Sequence, residues 1–272
     1  MRATIILLLL AATAVADVVV TKTVTHTGEV VRVTPDGVQM KIKIGEGFGE
    51  VTIPKSDIVR VEVQKPAGLD SAIAALKAGK FAEAVTGLKT ITDRYAGLNT
   101  PWAEEALVKL GDAQIGQKNF SEAKRAFDSF KTLYPKSPMA AGMDVKYARV
   151  LLEQKETGKA TDSLQAFLDP MLKKPFLTDD QEFAVAEALV LLGDCQLATG
   201  KTDDALDNYL KVVTLFDLDA DRAAEAKYKA AQIFEKNGNW KRAKESYDEL
   251  LKDSPNVAFA DDVKKRLAAH PE

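Results

Sequence analysis

Glu105-Ala106-Leu107-Val108-Lys109-Leu110-Gly111, then Asn119-Phe120-Ser121-Glu122-Ala123, then Phe127 and Tyr134-Pro135, is the stretch on which the fold turns. A small residue at Gly111 is followed twelve positions later by Ala123, four further on by Phe127 and eight beyond that by Pro135. Residues four apart share one face of a helix, and a proline, lacking an amide donor, closes one. The arrangement recurs five times between about residue 65 and the C-terminus, each time as the pattern of a helix pair.

This spacing resembles the tetratricopeptide repeat (TPR). The resemblance implies small residues where paired helices touch, an aromatic filling the gap between repeats, and a curved solenoid that holds other molecules. Aligned on their own residues, the small positions of the second helices are Ala84, Ala123, Ser163, Ala205 and Ala243, at intervals of 39, 40, 42 and 38 residues. Four residues beyond each lie Leu88, Phe127, Phe167, Tyr209 and Tyr247, and three before each lie Phe81, Phe120, Ala160, Thr202 and Trp240. The intervals exceed the usual period of about 34, so helices or loops are lengthened. Gly79, Gly158, Gly200 and Gly238 are expected in the tight turn inside each repeat. Repeat three reads as the weakest, with Ser163 for alanine and Leu151 where its neighbours have Gly111 and Gly193. Asp261 to His270 supplies a last amphipathic helix able to cap the stack.

Ahead of the repeats the period changes to two. Met40-Lys41-Ile42-Lys43-Ile44, Val51-Thr52-Ile53 and Val59-Arg60-Val61-Glu62-Val63 alternate apolar and polar residues, as half-buried strands do. Thr34-Pro35-Asp36-Gly37 and the glycines at 45, 47 and 49 mark turns. Five strands are predicted near 18–25, 28–34, 38–44, 50–54 and 58–64. Thr27-Gly28-Glu29-Val30-Val31, Asp36-Gly37-Val38 and Ile53-Pro54-Lys55-Ser56-Asp57-Ile58 resemble the SH3-like or Sm-like small barrels. Lys65-Pro66-Ala67-Gly68 breaks the last strand and marks the junction.

The chain opens with one arginine, the apolar run Ile5 to Leu10 and an Ala14-Val15-Ala16 ending before Asp17, the three parts of a secretory signal peptide. The run is shorter than the roughly 20 residues a membrane span needs. No cysteine follows to receive a lipid, so the expectation is an exported, periplasmic protein without a stable membrane anchor after cleavage. The expected architecture is therefore α+β and multidomain: 1–16 a signal peptide, 17–66 a small five-stranded β barrel, and 67–272 an all-α TPR solenoid of about five helix pairs plus a C-terminal capping helix.

A net charge of −3, from 37 basic and 40 acidic residues, argues against nucleic acid, whose binding relies on a basic face. The single cysteine, Cys195, forms no intramolecular disulfide, is expected to pack as a small apolar residue, and has only His26 and His270 as histidine partners in the sequence. No metal-ligand spacing, phosphate loop or nucleophile elbow is present, so neither an enzyme nor a cofactor is expected.

The lengthened period and the Tyr134-Pro135-Lys136-Ser137-Pro138 ending resemble envelope TPR proteins of Gram-negative bacteria. Among these are the Tol-Pal-associated cell division coordinator and the BamD-type assembly lipoproteins. The resemblance implies a scaffold whose partners are other envelope or secreted proteins. In such solenoids the first helices line the groove, which here would place Val108, Asp112 and Ile115, Val190, Asp194 and Leu197, and Tyr228 and Gln232 along it. Carboxylate-binding relatives carry lysine, arginine and asparagine at such places. Aspartates and aliphatics here imply an apolar partner segment with basic residues. The other reading is a structural or cell-wall module, in which the barrel grips peptidoglycan or oligomerises and the helices are a spacer.

Overall fold

The computed structural model describes residues 16–216 and 218–270, so the predicted signal segment up to residue 15 lies outside the described residues. Five strands come first: β1 (Asp17–Thr21), β2 (Thr25–Val33), β3 (Gly37–Ile44), β4 (Gly47–Pro54) and β5 (Ile58–Glu62). Eleven α-helices follow among the described residues: α1 (Gly68–Lys77), α2 (Phe81–Tyr95), α3 (Pro101–Gly116), α4 (Phe120–Leu133), α5 (Met143–Glu153), α6 (Thr157–Met171), α7 (Asp179–Ala198), α8 (Thr202–Leu215), α9 (Ala220–Lys236), α10 (Trp240–Asp253) and α11 (Ala260–Ala269). The chain divides into two compact units, the first ending at Ala113 and the second beginning at Gln114.

In the first unit the strands form one antiparallel sheet in the order β4-β3-β2-β1-β5. The outer strands are β4 and β5, and no ladder among the described residues joins them. Val19, Val30, Val38, Met40 and Ile53 point to one face and are buried together with Leu98 and Ala103 from the helical side, so sheet and first helices share a core. Gly28 is required by the close strand pairing, since a Cβ there would lie 2.2 Å from the Lys41 carbonyl. Val30 lies beyond the end of β1, which pairs Asp17 with Gly28. Its N–H donates instead to the Asp17 carboxylate at 2.8 Å, and its carbonyl accepts from Arg94 Nε of α2 at 2.6 Å. A buried backbone group left without a partner costs free energy comparable to a lost hydrogen bond, so these two side chains finish the sheet where its neighbour strand stops.

The helices alternate as first and second members of five pairs, with α11 after the last. Each pair turns through one residue in the left-handed region: Gly79 (φ 71°), Lys118 (62°), Lys155 (62°), Gly200 (80°) and Gly238 (75°). In every case the next N–H reaches back five residues, from Lys80 to Ala75, Asn119 to Gln114, Glu156 to Leu151, Lys201 to Gln196 and Asn239 to Phe234, at 2.8–2.9 Å. This is the Schellman closure of a helix C-terminus. Five residues after each left-handed position comes a small residue that is fully buried: Ala84, Ala123, Ala160, Ala205 and Ala243.

That register corrects the sequence alignment in repeat three. The small residue is Ala160 and not Ser163, the turn residue is Lys155 and not Gly158, and Gly158 is the second residue of α6. The intervals become 39, 37, 45 and 38. Twelve residues before each small position now stand Ala72, Gly111, Ala148, Gly193 and Ala231, all buried and all small. Four residues after stand Leu88, Phe127, Leu164, Tyr209 and Tyr247, each fully buried. Repeat three is therefore regular; its glycine slot holds Ala148, not Leu151.

Lysine in the left-handed region is strained by its Cβ, at about 1–2 kcal/mol, against roughly 0.5–1 kcal/mol of chain entropy that glycine loses on folding. Lys118→Gly and Lys155→Gly are each expected to stabilise the chain by up to about 1 kcal/mol. The check is a higher denaturant midpoint at unchanged slope.

Candidate protein-interaction surface

The second unit sets three first helices side by side, with α7 touching both α5 and α9. α7 is buried continuously from Ala184 to Gly193 because α6 and α8 cover its remaining sides. One charge sits inside that apolar run: Glu187, only 8% exposed. Its carboxylate receives Lys146 Nζ at 3.3 Å and Arg149 at 2.9 Å from α5, with Arg222 of α9 at 3.7 Å. Burial alone would raise this carboxyl, but Lys146, then Arg149 and Arg222, outweigh it and hold the group well below the usual carboxylate range.

The chain of charge continues along α9. Arg222 pairs with Glu225 at 2.6 Å, Glu225 with Lys229 at 2.9 Å, and Lys229 with Asp194 of α7 at 2.7 Å. Asp194 also accepts the Tyr209 hydroxyl at 2.7 Å. Burial, followed by the Asp194 charge, pushes the Tyr209 phenol far upward, so it stays a donor. Four cations thus meet three carboxylates across α5, α7 and α9. Every member has a partner, as a polar network in low dielectric requires.

The expected groove residues distribute as follows. Val108 is buried and Asp112 half-buried on α3 in the first unit; Ile115 is half-buried at the start of the second. Val190 is fully buried within α7, and Asp194 is held by Lys229 and Tyr209. Leu197, one turn beyond Asp194, is 42% exposed. Tyr228 stacks on Phe259 at 4.5 Å and donates to Asp262 of α11, while Gln232 is half-buried beside it on α9. α11 is fastened further by Arg266, which bonds Glu235 of α9 at 2.8 Å while Asp262 of its own helix steadies it at 2.6 Å. Trp240 begins α10 and packs against Tyr247 and His270 at centroid distances of 6.4 and 4.2 Å, a packing residue as its position in the repeat predicts. Cys195 is buried.

Sequence reasoning missed Lys146, Arg149, Glu187, Arg222, Glu225 and Lys229. Two signals carried them. A lone glutamate in an otherwise apolar run from Phe183 to Leu192 demands partners, and the corrected repeat-three register places Arg149 one residue after Ala148, as Asp194 follows Gly193.

Two stretches, 105–137 and 190–258, match family models of the tetratricopeptide repeat, and over them the chain carries TPR repeats. Among solved structures, TTC0263, a thermophilic TPR protein of Thermus thermophilus, is 17% identical and superposes with a TM-score of 0.51, covering 74% of this chain and 96% of its own. MamA residues 41 to the end from Desulfovibrio magneticus are 18% identical with a TM-score of 0.39, covering 72% of this chain and 99% of that one. The likeness to TTC0263 is one of fold. Comparison with curated proteins returns no match.

Proposed function

We propose that the chain is a non-catalytic, exported scaffold that binds other proteins of the cell envelope through its helical repeats, in the manner of the envelope TPR proteins its sequence resembles. The observation that carries this reading is the five-fold helix pair, with identical left-handed turns and buried small residues at each step. Helical repeats of this kind build binding surfaces from successive first helices. The charged network from Lys146 and Arg149 through Glu187, Arg222, Glu225 and Lys229 to Asp194 satisfies itself, so recognition rests on exposed apolar groups such as Leu197 rather than on Asp194. The opening arginine, apolar run and Ala-Val-Ala ending support export.

A photo-reactive residue in place of Leu197 is expected to capture one defined envelope protein, which the same residue at exposed Gln165 of α6 does not capture. Equal capture at both positions would remove the first-helix face from the reading. Fractionation tests export directly: the protein should be released with the periplasm and begin at Asp17, and recovery from the cytoplasm with Met1 intact would defeat it.

The second reading, a sheet that grips cell wall or self-associates, is favoured by Phe48, Ile44 and Val59, large apolar side chains left exposed at the outer strands and on the β3–β4 hairpin. Sedimentation of the whole chain with isolated cell wall separates the two. The sheet alone is unsuited to that assay because Leu98 and Ala103 complete its core.

A further inference from the structure

The corrected register leaves one interval out of line. Ala160 to Ala205 is 45 residues where the others are 37 to 39. The surplus goes into α7, at 20 residues the longest helix described, and into the connection 172–178 that precedes it. Extra chain in a repeat usually forms a loop on one face. Here it forms an apolar one: Leu172 is exposed, Phe176 is 87% exposed, and Phe183 of the first turns of α7 is exposed as well. Leu215 at the end of α8 and Leu218 in the connection to α9 are exposed too. A depression of about 270 Å³ joins the two connections, floored by Met171, Leu177 and Phe216 with Phe176 on its rim. Of the large apolar side chains exposed among the described residues, Leu172 and Phe176 line the depression in this ledge directly. Fully burying a phenylalanine is worth about 1.5–3 kcal/mol, so a Phe left in water among other exposed aliphatics marks a contact surface.

The charges around it say what the contact is. Asp179, Asp180 and Glu182 at the start of α7 and Asp221 in α9 have no ion pair among the described residues, unlike the satisfied network on α5, α7 and α9. Lys173 and Lys174 oppose them, Lys174 from the lining of the depression, while Arg222 beside Asp221 is committed to Glu225 and Glu187. An acidic partner would be repelled; a second apolar and acidic surface would be too.

We propose that this ledge is a docking site for an apolar segment flanked by lysine or arginine, supplied by a partner protein. Its apolar residues seat between Phe176 and Phe216, and its cations meet Asp179, Asp180 and Glu182. The proposal rests on the scaffold reading and gives it a second contact surface, distinct from that around Leu197.

The test uses the full chain and two labelled amphipathic peptides of equal length, one of leucine and lysine and one of leucine and glutamate, followed by fluorescence anisotropy. The leucine–lysine peptide should bind, and the leucine–glutamate peptide should bind at least tenfold more weakly. Phe176→Asp should weaken the first at least tenfold without lowering the melting temperature, since the ring touches water over most of its surface. Asp179→Lys with Asp180→Lys should flatten the salt dependence of binding. Gln165→Glu, at an exposed position of α6 away from the depression, should leave binding unchanged. Indifference to Phe176→Asp, or equal binding of both peptides, overturns the ledge. Loss with Leu197→Asp alone overturns the ledge while sparing the scaffold reading. A wild-type dimer that Phe176→Asp converts to monomer also overturns it, because a second copy would then be the occupant.

Discussion

Glu187→Gln is expected to destabilise the chain by about 3–5 kcal/mol, the usual cost of removing one partner from a buried ionic group. The substitution keeps volume and an oxygen acceptor. What it removes is the charge that holds Lys146, Arg149 and Arg222 around one point inside the helix stack. The cost is therefore the stranding of cations rather than the worth of an attraction. Lys146→Met should cost much less, since two cations still serve Glu187. Denaturant unfolding at neutral pH reads both.

The same residue predicts a pH dependence with a defined sign. The folded carboxyl lies below its unfolded value, so its contribution is fully present above about pH 4.3 and is lost as pH falls from there toward the folded value. Wild type should lose stability more steeply than the glutamine variant below about pH 4.3. The gap between the two should narrow as acid is added.

Tyr209→Ala is the other large effect, at about 3–5 kcal/mol. The ring is fully buried and fills the space beside Gly193, whose added Cβ would lie 2.5 Å from it. Tyr209→Phe keeps the filling and loses only the hydroxyl donated to Asp194, which Lys229 still holds, so about 1 kcal/mol is expected. Gly193→Ala approaches from the opposite side and should cost about 1–3 kcal/mol by overpacking. A ranking in which the phenylalanine variant falls with the alanine variant would show that the hydroxyl, not the ring, matters.

Much of the fold was readable because it rests on spacing. Small residues twelve apart, a bulky residue four further on, and strands with period two are one-dimensional signals of packing. The slip in repeat three has a specific cause. Ser163 and Phe167 copy the small-then-aromatic step of Phe127, Tyr209 and Tyr247, whereas the true step, Ala160 to Leu164, copies the less conspicuous Ala84 to Leu88 of repeat one. The left-handed turn there falls on Lys155, and nothing in a lysine announces a positive φ, so Gly158 drew the assignment. The expected groove residues were named from position in the repeat alone. Position could not tell that Val190 lies fully buried in a helix packed by four others, or that Asp194 is already committed to Lys229. Glu187 was the legible clue left unused, a single acid among aliphatics.

Repeat arrays are ordinarily treated as sums of units and nearest-neighbour contacts, free to fray from either end. Glu187 ties two of those neighbour contacts together, because one carboxylate is shared between the pair before it and the pair after it, so the two interfaces are not independent. Excising or transplanting any one of the last three pairs would leave its neighbours with mismatched charge. The three pairs are therefore expected to melt as a block.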